Sequence, residues 1–149
     1  MKQEEIKQML IKHEGLVCSP YKCKANKLSI GVGRNLEANG ISEDEAMYLL
    51  DNDINNTIAK LDKHWPVYKT FPDAAQMVCV DVVFNMGIST WLSFRKTRAY
   101  MELGEWEEAG KELLNSKYAQ QVGRRAIFNS EELQKCQTKV QTNIKTIQE

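Results

Sequence analysis

Residues 74–84 set the strongest constraint on this chain. Met77, Val78, Val80, Val82, Val83 and Phe84 put apolar side chains on nearly every side of any helix drawn through them. A helix apolar around its circumference has to be enclosed by others, so this segment is expected at the centre of a core. Its β-branched residues lower the intrinsic helix propensity, and burial has to compensate. A chain of 149 residues, 42% of them apolar, is long enough to build such a core as one domain spanning 1–149.

Charge and cysteine usage narrow the classes. Twenty basic residues balance twenty acidic ones, which gives no support to nucleic-acid binding through a broad basic field. Long-range attraction to an anionic cell wall gets none either. No apolar run approaches a membrane span, so no membrane anchor is expected. The opening Met1-Lys2-Gln3-Glu4-Glu5 has no apolar stretch, so no signal peptide of the usual kind is expected, and synthesis is placed in a cytoplasm. Cys18, Cys23, Cys79 and Cys136 form no CxxC pair, and only His13 and His64 could join them. A zinc site is therefore not expected, and no cofactor is implied. In a reducing compartment all four cysteines are expected as thiols, with Cys79 a buried one.

Along the chain, Ile6, Met9, Leu10 and His13 recur at helical spacing, and Gly15 supplies a stop directly after Glu14. Residues 16–33 change character. Tyr21-Lys22-Cys23, a turn at Lys24-Ala25-Asn26, and Leu28-Ser29-Ile30-Gly31-Val32 read as a β-hairpin. Ser42-Glu43-Asp44-Glu45 is a capping box, and Ala46, Leu49, Leu50, Ile54, Ile58 and Leu61 carry its helix onward for about five turns. Pro66 and Pro72 bracket a connector. Residues 93–101 and 106–114 read as amphipathic helices, with Trp91 and Trp106 packing among them. A last helix is expected from Ser130, ending in a polar tail.

Chemistry concentrates in the first 35 residues. Glu14 stands at a helix C-terminus, where the macrodipole disfavours a negative charge. Partial burial would raise its proton affinity further, as a general acid for glycosidic cleavage requires. Spacing alone describes a solvated surface glutamate at least as well. Glu14-Gly15-Leu16, Tyr21-Lys22 and Ser29-Ile30-Gly31-Val32-Gly33 resemble the phage-type lysozymes of glycoside hydrolase family 24, of the T-even-phage kind. So do Asp53, Val67-Tyr68, Phe84-Asn85-Met86-Gly87, Ser93-Phe94, Trp106-Glu107-Glu108-Ala109 and Gln121 with Arg125-Ala126. The motifs keep the family's order over nearly the whole chain.

That resemblance implies an α+β, mainly helical fold with two lobes. One is a small β-hairpin lobe, about 14–60. The other is a larger helical lobe, about 61–149 plus the N-terminal helix, and the helix starting at Ser42 joins them. It implies a monomeric muramidase whose partner is the glycan strand of bacterial peptidoglycan, cut at the β-1,4 bond between N-acetylmuramic acid and N-acetylglucosamine. The producing cell would hold it in the cytoplasm until release through holin pores or another export route. Of the family's Glu, Asp and Thr, Glu14 matches the first and Ser29 keeps the hydroxyl of the third. Cys23 departs from the second. With Lys22 and Lys24 beside it, Cys23 is expected to favour the thiolate. A thiolate would deprotonate water, stabilise the oxocarbenium-like transition state or attack the anomeric carbon. Asn35, Phe84, Asn85 and Thr97 are implied sugar contacts. Arg34, standing where the family often has His, is expected to pair with Asp53, and Arg125 to approach Glu14.

Two other classes compete. A Cys–His hydrolase would need His13 or His64 beside Cys23, and neither lies in a nucleophile motif. A catalytically impaired relative would bind glycan, or act structurally, without cutting it.

Overall fold

The computed structural model describes residues 2–148, except for the side chains of residues 138–145 and 148. The polar C-terminal tail read from the sequence falls mostly on those side chains, outside the described residues. The fold is α+β and mainly helical, with one three-stranded antiparallel sheet. It divides into two compact units, Met1–Leu50 and Asp51–Glu149.

The first unit opens with α1 (Gln3–Glu14), followed by β1 (Val17–Lys22), β2 (Leu28–Gly31) and β3 (Arg34–Asn35) in the order β1-β2-β3. Gly15 ends α1 because it takes φ +79°, open to glycine at no steric cost, while its N–H donates to Ile11 O at 2.8 Å. The β1–β2 register pairs Tyr21 with Ser29 and Lys22 with Leu28, and β1 carries an irregularity between Val17 and Tyr21. The expected hairpin is present, with its turn at residues 23–27. Asn26 takes the left-handed position there at φ +58°, which asparagine tolerates. β3 and the single-turn α2 (Leu36–Asn39) have no counterpart in the sequence reading. A two-residue strand shows no alternation, and one turn shows no helical period.

The capping box forms as expected. Glu45 N–H donates to Ser42 Oγ at 3.1 Å, and Ser42 N–H donates to Glu45 Oε1 at 3.0 Å. It opens α3 (Glu43–His64), the longest helix before residue 124. The division between the units falls inside α3, earlier than the residue near 60 read from the sequence.

The second unit holds a 3-10 turn at Pro66–Thr70, α4 (Asp73–Met86), α5 (Ile88–Ser93), α6 (Arg95–Glu102), α7 (Trp106–Leu114), α8 (Lys117–Val122) and α9 (Arg124–Gln148). Ala75, Val78, Cys79, Val82 and Val83 of α4 are buried in the core of this unit. Enclosure is incomplete, however. Met77 is 71% exposed, and Asp81 and Phe84, four and seven residues on, share its open side. Around α4, Trp65, Phe71, Trp91, Trp106, Phe94 and Tyr118 form a chain of ring contacts with centroids 5.2–6.2 Å apart, mostly edge-to-face. The helix expected over 93–101 is broken at Phe94 into α5 and α6.

The last helix begins at Arg124, not at Ser130. Ser130 is no cap: it is buried in mid-helix, where its hydroxyl donates to Gly110 O of α7 at 2.7 Å. Gly110 lets α7 and α9 approach this closely. A Cβ built there would lie 2.7 Å from Ser130 O and 2.7 Å from Gln134 Cγ. Alanine is the better helix former by about 1 kcal/mol, but the Ser130 carbonyl is backbone and cannot swing aside. Gly110→Ala is expected to lower stability by about 1–2 kcal/mol net, read as a drop in Tm, since overpacking outweighs propensity.

Candidate active site

Glu14 is the last residue of α1, with an exposed side chain. Its carboxyl lies over the backbone of Gly33, in the turn between β2 and β3. A Cβ added at Gly33 would stand 2.9 Å from Glu14 Oε2 and 3.2 Å from Cδ, and Gly33 itself takes φ +68°. Glycine is favoured here by the backbone angle, and its missing Cβ lets the Glu14 carboxyl lie close to the chain. Residue 33 is thus the seat of the Glu14 carboxyl.

At the other end of β2, Cys23 and Ser29 come together. Cys23 opens the β1–β2 turn: its N–H donates to Lys27 O at 2.9 Å, and its carbonyl accepts from Asn26 N–H at 2.8 Å. The Lys27 backbone holds the Cys23 thiol below its ordinary value against partial desolvation, with the Ala25 backbone and the Ser29 side chain adding to it. The expected cause was the ammonium groups of Lys22 and Lys24, and neither contributes. Backbone donors replace them, and no side-chain pattern advertises those. Ser29 is 2% exposed. Its hydroxyl donates to the Lys27 carbonyl at 3.2 Å. Across the sheet Ser29 pairs with Asn35, whose Oδ1 accepts from Ala38 N–H at 3.0 Å and caps α2.

Arg34 pairs with Glu45. Its guanidinium donates from NH1 to Glu45 Oε1 at 2.7 Å and, less closely, to Gly40 O at 3.4 Å. The capping box explains the choice: it pins the Glu45 carboxylate beside Arg34, whereas Asp53 stands eight residues further along α3, about 12 Å of helix rise. Asp53 is exposed. The Arg34 guanidinium, then the Ser42 N–H, hold the Glu45 carboxyl down to about 2.

In the second unit, Phe84 is 43% exposed on α4 and Asn85 beside it is exposed. Thr97 lies inside this unit at 2% exposure and offers little surface to a sugar. Arg125 is committed to Asp81 through a bidentate pair, NH2 to Oδ1 at 2.6 Å and Nε to Oδ2 at 2.9 Å. Asn129 donates to Asp81 Oδ2 at 2.7 Å and to Tyr118 Oη at 2.8 Å. Partial burial would raise the Asp81 carboxyl, but Arg125 and Asn129 overcome it and hold the group below the usual range. The sequence reading passed over Asp81, because a lone acid in an apolar run carries no spacing signal. Among the described residues, no group of three or more His, Cys, Asp or Glu side chains could hold a metal ion.

Comparison with known proteins adds the lineage. The family model described as phage lysozyme matches residues 11–129. A Dictyostelium discoideum protein named "Probable T4-type lysozyme 2" is 24% identical over 151 aligned residues, covering 81% of this chain and 88% of its own. "Probable T4-type lysozyme 1" of the same organism is 26% identical over 89 residues, covering 58% of this chain and 52% of its own. The match to this second relative thus spans about half of that relative's length.

Two measurements follow from the geometry. Glu45 has its folded value below the unfolded 4.5, so its support for the fold is complete above that pH and is lost as pH falls from 4.5 toward 2. Glu45→Gln is expected to flatten the pH dependence of Tm in that window, and a double-mutant cycle should couple Arg34 to Glu45. For Cys23, loss of the Ser29 hydroxyl removes a donor to the thiolate. Ser29→Ala should therefore move the midpoint of Cys23 alkylation by iodoacetamide to higher pH and slow the reaction at neutral pH. An unchanged profile would show that the hydroxyl does not face the sulfur.

Proposed function

The chain belongs to the phage lysozyme family, and from that premise we propose that it hydrolyses peptidoglycan, with Glu14 as proton donor. The bond cut is the β-1,4 link between N-acetylmuramic acid and N-acetylglucosamine. One observation carries the assignment of the acid: the Glu14 carboxyl is seated over Gly33, a residue whose missing Cβ makes room for it.

The steps follow from the chemistry of the three groups. Glu14 gives its proton to the bridging oxygen as the bond from that oxygen to the anomeric carbon breaks. Positive charge develops on the sugar, and a nearby anion lowers the energy of that state. The Cys23 thiolate, stabilised by the Lys27 and Ala25 backbone and the Ser29 side chain, supplies the anion and takes the proton of the attacking water. Ser29, buried as it is, acts through the sulfur as a positioning residue. Phe84 and Asn85 offer an apolar face and an amide for the glycan. Release from the producing cell through a membrane lesion would bring the protein to its substrate.

A second reading, glycan binding without cleavage, draws on the thiol at position 23, since a protonated thiol is a poor base. Purified sacculi separate the two. The wild type is expected to clear their turbidity and release fragments ending in N-acetylmuramic acid, identified by mass spectrometry. Glu14→Gln should lose at least about 100-fold of that rate. Sacculi left whole by the folded wild type, or cut equally well by Glu14→Gln, would remove the assignment.

A further inference from the structure

Two hydrogen-bond donors in the second unit are enclosed without an acceptor. They are the indole Nε1–H of Trp91, a residue wholly withdrawn from solvent, and the Nε–H of Arg98. Among the described residues, no other buried side-chain nitrogen or oxygen lacks a partner. The two belong to one neighbourhood, because both rest on Trp65. The Trp91 ring meets it edge-to-face with centroids 5.6 Å apart, and the Arg98 guanidinium carbon lies 5.6 Å from the centre of a Trp65 ring. The donors around them are answered: Trp65 Nε1–H by Glu102 Oε1 at 2.6 Å, and Arg98 NH2 by Leu92 O at 2.6 Å. A buried donor left alone costs more than a typical hydrogen bond returns, and two beside one ring call for an acceptor.

The surroundings select the kind of acceptor. Indole and guanidinium side chains only donate. Arg98 is a half-buried cation, and among the described residues no acid forms an ion pair with it. α6 starts three residues earlier, and the N-terminal end of a helix is positive. Its first turn holds no acid to balance that end, and Arg95 and Lys96 add charge of the same sign. Phe94, the residue at the cap, supplies no side-chain acceptor, and its ring packs on Trp91 with centroids 6.0 Å apart. A water accepting from both donors would still need acceptors for its own hydrogens, whereas an anion needs none. We infer that the α5–α6 junction is a binding site for a small monovalent anion of chloride size, which accepts from Trp91 Nε1–H and Arg98 Nε–H. The enclosure of both nitrogens keeps larger oxyanions out. The anion fastens α5 and α6, on either side of the break at Phe94, to Trp65 at the end of α3.

The full-length protein and its Trp91→Phe variant are melted in sodium chloride and in sodium gluconate at equal concentration. Phenylalanine keeps a ring at position 91 and removes the donor. Chloride bound to the folded state raises its Tm by linkage. The gain in Tm on replacing gluconate by chloride is expected to be about 2–4 °C larger in the wild type than in Trp91→Phe. Arg98→Met should lose the gain in the same way. Crystals of the wild type grown in sodium bromide read the site directly, whatever the stability of the variants. An anomalous peak is expected within hydrogen-bond reach of Trp91 Nε1 and Arg98 Nε. Equal gains in the wild type and a folded Trp91→Phe overturn the inference. So does a bromide-grown crystal in which these nitrogens meet only an ordered water.

Discussion

The contact between Glu14 and Gly33 is the constraint around which the first unit is arranged. An acid at the end of a helix is free to wander unless something receives it, and here the receiving surface is bare backbone in the β2–β3 turn. Three consequences follow. α1 has to stop at Glu14, which Gly15 secures with its positive φ. β2 has to turn sharply after Gly31, which also takes a positive φ, and residue 33 has to take one too. Each is a statement about backbone angle. Among the described residues of that unit, Ser29 alone is buried, so glycine conformation and hydrogen bonding order this part of the chain more than apolar packing does.

Polar groups do related work elsewhere, at the closest approaches of the chain. The capping box uses both oxygen-bearing side chains of Ser42 and Glu45, and the Glu45 carboxylate then anchors Arg34 as well. In the second unit the Ser130 hydroxyl meets a backbone carbonyl of α7 where Gly110 has removed the steric barrier. Asp81 interrupts an apolar helix, yet it is answered by Arg125 and Asn129. A buried or half-buried polar group without a partner would cost more than a typical hydrogen bond returns, so each of these has one.

What the sequence made legible follows periodicity and composition. The α3 cap, the stop at Gly15, the hairpin and the helix from Trp106 were all readable, because each has a local signature within a few residues. The interruption at Phe94 and the true start of the last helix at Arg124 were not, since both depend on which neighbours pack there. Ser130 followed by Glu131 and Glu132 looks like a cap; only the nearness of Gly110 shows that its hydroxyl is spent across a helix–helix contact. Ion pairs were the least legible. Arg34 pairs with Glu45 and Arg125 with Asp81, two acids the sequence reading had not assigned to them, because a charge pairs with whichever carboxylate the backbone brings within reach. Of the candidate site, Glu14, Cys23 and Ser29 could be named from the motif, but the backbone donors that surround the sulfur have no residue type to announce them.

Those donors bear on how a cysteine can stand where the family resemblance places an aspartate. A carboxylate brings its own charge and two acceptor oxygens; a thiol brings neither until it ionises. In this chain the burden of producing the anion passes from the side chain to the turn. The turn that carries Lys27 and Ala25 is held by backbone bonds, Cys23 N–H to Lys27 O and Asn26 N–H to Cys23 O, and Ser29 is fixed by its place in β2. Substitution at 23 therefore leaves the anion-favouring surroundings in place and changes only the group that responds to them. Aspartate answers by staying ionised, cysteine by shifting toward thiolate. The same argument limits the exchange. Sulfur is larger than oxygen, and it offers one centre where a carboxylate offers two. The lowered value of the Cys23 thiol is a property of the turn first and of the residue within it second.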